Sequence, residues 1–249
     1  MDKQPSLKTI ELFATDVLKS SGKIARKYFR NSAQYEIKKD GSIVTIADKK
    51  IEQFIRKAIG EKFPRHSIMG EEFKDKKSAG SPYKWVIDPI DGTSSFKAGR
   101  PIFGIMLALM KNDKAIMGAV YQPITDELWL GVGGVTKFNG KVLTKEKPAK
   151  KAKKTGNSYK IIATTSPELF DKNGKNLWAA LRMKSQNAIY GGDCYNYCLL
   201  AMGQIDCVYE QALKPHDYLP LLPILQGAGA KIKLTIKPDK TADLMVTRG

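Results

Sequence analysis

The sequence predicts an α/β protein whose N-terminal half is α+β, and three observations carry that expectation. Apolar residues first recur at helical spacing, short runs of strand period follow, and strands then alternate with helices through the second half. Leu7, Ile10, Ala14, Val17, Ile24 and Tyr28 define one face of a long helix ending near Asn31. A second helix carries the stripe Ile51, Phe54, Ile55, Ala58 and Ile59. Thr45 and Asp48 have capping-box spacing at its start, and Gly60 with Pro64 is expected to close it. Residues 67–69 and 84–87 read as short strands, the first followed by Glu71 and Glu72 and the second by Asp88. Residues 103–110 and 115–121, joined by a turn at 111–114, read as a hairpin, and 127–132 as a further strand before glycine-rich turns.

Residues 145–158 hold lysines, Pro148, Gly156 and Asn157 with almost nothing apolar to bury, the composition of a linker. They divide the chain into a unit of residues 1–146 and a unit of residues 147–249. The second unit reads as strand 161–164, helix 167–183, a turn at Gly191-Gly192, helix 193–202, strand 205–209 and helix 217–226. Such alternation favours sheets covered by helices.

Composition narrows the function classes. A hydrophobic content of 42% supports a continuous core. The apolar run 102–110 falls far short of the roughly 20 residues that span a bilayer as a helix, so no membrane contact is expected. The first residues lack the pattern of a secretory signal, and a cytoplasmic location is expected. Cys194, Cys198 and Cys207 are an odd, clustered set, unlike a disulfide framework, and neither His66 nor His216 stands beside them in sequence to make a zinc site. The net charge of +17 admits nucleic-acid binding, attraction of anionic metabolites, or a solvated lysine surface. The densest basic run, 145–154, has no interleaved aromatic residue on which a base could stack, which argues against nucleic acid as the partner.

Against that positive background, Glu71, Glu72, Asp88 and Asp91 gather at successive strand ends. Hard carboxylate ligands of this kind suit Mg²⁺ or Mn²⁺. In Asp88-Pro89-Ile90-Asp91-Gly92-Thr93, Pro89 restricts the backbone so that both aspartates and the Ile90 carbonyl can converge. Gly92 leaves room for a phosphate, the amides of Gly92 and Thr93 can face it, and the Thr93 hydroxyl stands nearby. Taken alone, the same residues also describe an ordinary β-turn, Glu71-Glu72 a solvated loop, and Asp48 a helix cap.

Four segments lift the pattern above those alternatives: Gly70-Glu71-Glu72, Trp85-Val86-Ile87-Asp88-Pro89-Ile90-Asp91-Gly92-Thr93, Gly191-Gly192-Asp193 and His216-Asp217. In order and spacing they resemble the inositol monophosphatase-like superfamily across nearly the whole chain. The last segment departs from the usual Trp-Asp by carrying His216, which leaves the ligand position intact and alters a flanking aromatic position. The resemblance implies a layered αβαβα sandwich, a homodimer, and a phosphatase for a small phosphorylated metabolite using two or three Mg²⁺ ions, with Mn²⁺ able to substitute. It implies Glu71, Asp88, Asp91, Asp217 and the Ile90 carbonyl as metal ligands, and a structural role for Glu72. Thr45 and Asp48 match positions near the attacking water, which Thr93 with Asp48, or Glu71 directly, would orient and deprotonate.

Within the superfamily, residues 190–197 and 213–218 look closest to the histidinol-phosphatase branch. The expected substrate is L-histidinol phosphate, met by Asp91, Gly192, Asp193, Glu210 and Asp217. Asp193 and Glu210 could pair with a cationic amine, although a helix cap and a surface ion pair are the plainer readings of each. Inositol-1-phosphate, another sugar phosphate, or adenosine 3′,5′-bisphosphate are the alternative substrates. An RNA-associated protein with a vestigial site is the non-enzymatic alternative.

Overall fold

The computed structural model describes residues 5–31, 35–37, 43–143 and 159–249. The linker read at 145–158 lies outside the described residues. Helix α1 spans Leu7–Tyr28, with the Ser6 hydroxyl accepting from the Thr9 amide at 3.1 Å to close its first turn. Strands β1 (Tyr35–Ile37) and β2 (Ile43–Thr45) form a small antiparallel ladder, and Thr45 then caps α2 (Ile46–Lys62). The expected capping box is present, whereas Gly60 lies inside α2 and does not end it.

A mixed sheet follows, built from β3 (Ser67–Gly70), β4 (Tyr83–Asp91), β5 (Gly104–Lys111), β6 (Lys114–Gln122), β7 (Glu127–Val132), β8 (Val135–Phe138) and β9 (Lys141–Val142). Its seven strands lie in sequence order, with β3 parallel to β4 and every later pair antiparallel. The short helix α3 (Thr93–Lys97) leaves the end of β4. The β5–β6 hairpin turns at Asn112 and Asp113, both at positive φ (46° and 63°), the geometry that matches strand twist in a two-residue turn.

The second half adds β10 (Tyr159–Thr164), α4 (Lys172–Met183), β11 (Ser185–Tyr190), α5 (Asp193–Ala201), β12 (Cys207–Leu213), α6 (Pro215–Tyr218), α7 (Leu221–Gly227), β13 (Lys231–Ile236) and β14 (Ala242–Thr247). Its sheet runs β11-β10-β12-β14-β13, parallel over the first three strands and antiparallel over the last. Three expectations need correction. The helix read at 167–183 is a 3₁₀ turn (Pro167–Leu169) followed by α4, because Asp171 accepts from the Gly174 amide and starts the helix afresh. The helix read at 217–226 is two short helices, since Pro220 and Pro223 interrupt its backbone ladder. Strands β11, β13 and β14 went unassigned; β11 and β13 are edge strands that bury little, while β14 buries Ala242, Leu244 and Val246 on one face only.

Packing generates five layers. Helices α1 and α2 cover one face of the seven-stranded sheet, and α5, α6 and α7 cover the other. The same three helices sit on the five-stranded sheet, whose outer face is closed by Trp178 and Leu181 of α4 against Ile162, Cys207 and Tyr209. Strand β5 is buried on both faces. Ile105, Leu107 and Leu109 join the core under α1 and α2, while Met106 joins the core shared with α5 and α7. Helix α7 approaches β6 and β7 so closely that a Cβ at Gly118 or Gly131 would overlap the backbone of Pro220 or Pro223. The expected layered α/β sandwich is the fold observed.

Candidate active site

Acidic groups from six elements form the site: the α2 cap, the loop after β3, β4, α5, β12 and α6. The first carboxylate is supplied by the α2 cap. Thr45 donates to Asp48 Oδ2 from its amide at 2.8 Å and from its hydroxyl at 2.5 Å, while Oδ1 is buried without a hydrogen-bond partner. Burial raises the Asp48 carboxyl from 3.8 to about 6, the neighbouring charge of Glu71 adds to the rise, and the Thr45 hydrogen bonds oppose it.

Glu71 follows β3 on a loop anchored from beneath by a residue that the sequence pattern passes over. Glu52, fully buried on α2, accepts from Arg56 Nε at 2.7 Å, from the Glu72 amide at 2.7 Å and from the Phe73 amide at 3.3 Å. Arg56 completes the clasp by donating to the Phe73 carbonyl at 2.9 Å. The available signal was an acidic residue inside the apolar stripe with an arginine at i+4.

Asp88 and Asp91 lie within β4, not beyond a strand ending at residue 87. The register against β5 slips between them, and this irregularity accommodates Pro89 and brings both aspartates into the site. Asp88 is 1% exposed, and its Oδ1 has no hydrogen-bond partner. Its carboxyl is pushed well above the ordinary range by burial and then by the charges of Glu71, Asp91, Asp217 and Asp48. Asp91 is raised by burial and by Asp193 and Asp217, despite accepting the Cys194 amide at 2.5 Å. The Ile90 carbonyl accepts the Thr93 hydroxyl at 2.9 Å, so Thr93 supports an expected ligand as well as standing beside the site. Gly92, at φ 85°, caps α3 with no side chain, and a Cβ there would lie 2.9 Å from Asp193 Oδ2.

The second half contributes three acidic groups. Asp193 is not the N-cap of α5; Gly192 is, at φ 109°, and Asp193 occupies the first helical turn. Burial raises its carboxyl to about 6, with a hydrogen bond from Thr165 opposing and the Asp217 charge adding. Glu210 lies inside β12, where it accepts the Thr165 amide at 2.6 Å, and burial lifts it to about 8. It is therefore neither a strand end nor a surface ion pair. Asp217 accepts the Lys214 amide at 2.7 Å, which fixes α6, and burial raises its carboxyl also.

These groups fall into two overlapping sets that share Asp88. Ligand atoms of Asp88, Asp91 and Asp217 lie within 4.8 Å of one another, as do those of Glu71, Asp88 and His216. So many carboxylates pushed upward together, two with buried unpaired oxygens, are the electrostatic signature of a site completed by a hard cation. The residues fit a divalent metal.

The linkage has a definite sign. A carboxyl raised on folding stabilises the fold below its unfolded value and loses that contribution as pH rises through its folded value. For Asp48 and Asp193 the window runs from 3.8 to about 6, and for Glu210 from 4.5 to about 8. Protein held in chelator is expected to melt at a lower temperature at pH 8 than at pH 5.5, with added divalent metal raising the melting temperature more at pH 8. Calorimetric scans at the two pH values check this, and a metal-induced rise that is larger at pH 5.5 would count against the carboxylate cluster.

Comparison with known proteins agrees with the geometry. A family model described as the inositol monophosphatase family matches residues 6–246. The chloroplastic bifunctional phosphatase IMPL2 of Arabidopsis thaliana is 41% identical over 215 residues, covering 86% of this chain and 60% of the plant protein. The chain thus spans less than two thirds of that relative. A histidinol-phosphatase of Chlorobaculum parvum is 33% identical over 218 residues, 87% of this chain and 82% of the bacterial one. Among solved structures, an inositol monophosphatase from Zymomonas mobilis superposes with a TM-score of 0.82 at 32% identity, covering 98% of this chain and 94% of that one.

Proposed function

The chain belongs to the inositol monophosphatase family of phosphoric monoester hydrolases, and from that premise we propose that it hydrolyses L-histidinol phosphate to L-histidinol and phosphate. The observation that carries the substrate is the acidic pair Asp193 and Glu210 beside the metal ligands. Asp193 and Glu210 share Thr165 as a hydrogen-bonding neighbour, and the Asp193 charge adds to the rise in the Glu210 carboxyl, so a cationic amine placed between them would relieve that repulsion. Inositol offers no such cation. Likeness to the Chlorobaculum parvum histidinol-phosphatase supports the same reading.

In the proposed mechanism Glu71, Asp88, Asp91, Asp217 and the Ile90 carbonyl would hold two or three Mg²⁺ ions, for which Mn²⁺ could substitute. A metal bound there would supply a lowered pKa for the attacking water and neutralising charge for the phosphoryl and leaving oxygens. Thr93 with Asp48, whose Oδ1 has no hydrogen-bond partner while Oδ2 is pinned by Thr45, would orient the water and take its proton; Glu71 is the alternative acceptor. Gly92 and Thr93 would admit the phosphate, and Gly192, at φ 109°, caps the helix that would present Asp193 to the amine. Water attacks phosphorus in line, the ester P–O bond breaks, and the proton passes to the departing alkoxide, with no covalent phosphoenzyme.

We propose with this a cytoplasmic homodimer divided at residues 146 and 147. The buried free cysteines Cys194, Cys198 and Cys207 support a reducing compartment, and exposed apolar side chains such as Met183 and Tyr190 support self-association. No helix among the described residues is long and apolar enough to cross a membrane.

Phosphate release from L-histidinol phosphate, inositol-1-phosphate and adenosine 3′,5′-bisphosphate ranks the substrates. Histidinol phosphate is expected to be favoured in kcat/KM, and Glu210→Gln is expected to reduce that preference by about 10- to 100-fold, the range for a charge-assisted contact. Equal or faster turnover of inositol-1-phosphate would overturn the substrate.

A further inference from the structure

The sequence pattern treats His216 as an altered flanking position beside a ligand, but the fold gives it a different place. A ring nitrogen of His216 lies within 4.8 Å of carboxylate oxygens of both Glu71 and Asp88. The residue is 9% exposed, and its Nε2 stands 3.3 Å from Asp217 Oδ1. Helix α6 begins with Pro215 and is held by the Lys214 amide on Asp217, so two successive residues, His216 and Asp217, both turn toward the carboxylates. Asp88 Oδ1, buried and unpartnered, belongs to the same three-residue set and points to a ligand independently of the histidine.

We propose that His216 is a nitrogen ligand of the metal centre, completing with Glu71 and Asp88 the position of one ion and biasing that position toward Mn²⁺ over Mg²⁺. The proposal rests on the reading of the carboxylates as a metal centre. Ligand atoms on one ion lie about 3.0 Å apart when adjacent and about 4.2 Å apart when opposite at coordination lengths near 2.1 Å, so the three atoms, all within 4.8 Å of one another, would draw together on loading. Mg²⁺ favours oxygen ligands and near-ideal octahedral geometry and is slow to give up water. An imidazole nitrogen favours transition metals, and in the divalent first-row order Mn²⁺ is the mildest of them. The competing role for His216 is orientation of Asp217 through the 3.3 Å contact, which involves no bond to the ion.

The two roles separate in pulsed electron paramagnetic resonance of the full chain loaded with Mn²⁺. The protein has 2 histidines, and His66 is stacked in the core with its Nδ1 accepting from Trp85 Nε1 at 3.1 Å. Labelling with ¹⁵N-histidine therefore reports on His216. A ¹⁴N coupling to Mn²⁺ that becomes a ¹⁵N coupling on labelling, and disappears in His216→Phe, is expected. In calorimetry the same variant is expected to weaken Mn²⁺ binding by about 10- to 100-fold and Mg²⁺ binding by less than about threefold. Absence of histidine nitrogen coupling in the wild-type chain overturns the proposal, as does equal weakening for both metals. If His216→Phe fails to fold, the labelled wild-type spectrum decides alone. Asp88→Asn tests the underlying reading: Mn²⁺ bound as tightly as by the wild type would remove the metal centre itself, whereas lost binding together with no nitrogen coupling in the wild type removes only His216.

Discussion

Asp88→Asn is expected to lower turnover by about 10³-fold or more while raising the melting temperature of the chelator-treated protein. The loss follows from removing one charge from the ligand set: the stabilisation of phosphoryl-transfer charge by a metal is worth several kcal/mol, and each 1.36 kcal/mol is about tenfold in rate. The gain follows from Asp88 being buried among Glu71, Asp91, Asp217 and Asp48, so that its ionised form is held at a cost in the metal-free fold. A neutral amide of the same shape removes that cost. Phosphate release and thermal melting in chelator read the two effects separately. Undiminished activity, or a metal-free melting temperature that falls, would contradict the assignment of Asp88.

Glu52→Ala is expected to destabilise the protein by about 3–5 kcal/mol, the usual result of leaving one partner of a buried ion pair behind. Arg56 would lose its carboxylate, and the Glu72 and Phe73 amides would lose their acceptor, all at the loop that presents Glu71. Glu52→Gln keeps the shape and one carbonyl oxygen, and a smaller loss of about 1–2 kcal/mol is expected. Urea midpoints measure both variants. Because Glu52 holds the backbone that immediately follows Glu71, weaker metal binding should accompany the loss in Glu52→Ala even under conditions where the variant stays folded. A midpoint change below about 1 kcal/mol would show that the clasp is incidental.

What could be read from residues alone follows physical locality. The α2 cap was legible because Thr45 and Asp48 make their contacts within one turn. The β5–β6 hairpin was legible because its turn and period are local too. Asp88 and Asp91 were legible as carboxylates in a constrained segment, but not that β4 runs through both, since the register slip depends on the partner strand. Strand β13, with Lys231 and Lys233 outward, lacks the density of apolar residues that marked the central strands. The places of Glu52 and His216 in the site were not legible for one shared reason: each acquires part of its surroundings from chain segments distant in sequence. A buried ionisable residue within an apolar stripe is the only local trace such contacts leave.

The helical layer shared by the two sheets has a consequence for how this molecule comes to life during synthesis. Glu71, Asp88 and Asp91 emerge early and can be arrayed on the first sheet, but Asp217 arrives only with α6, and the Cys194 amide that engages Asp91 only with α5. Both helices pack between the two sheets and share their cores with the second. A nascent first sheet is thus left with like charges facing one another and no counterpart, so catalytic competence should switch on late and all at once. Activity is then a clock for the last docking event of folding, and slow exchange of the Cys194 amide hydrogen would mark the same moment.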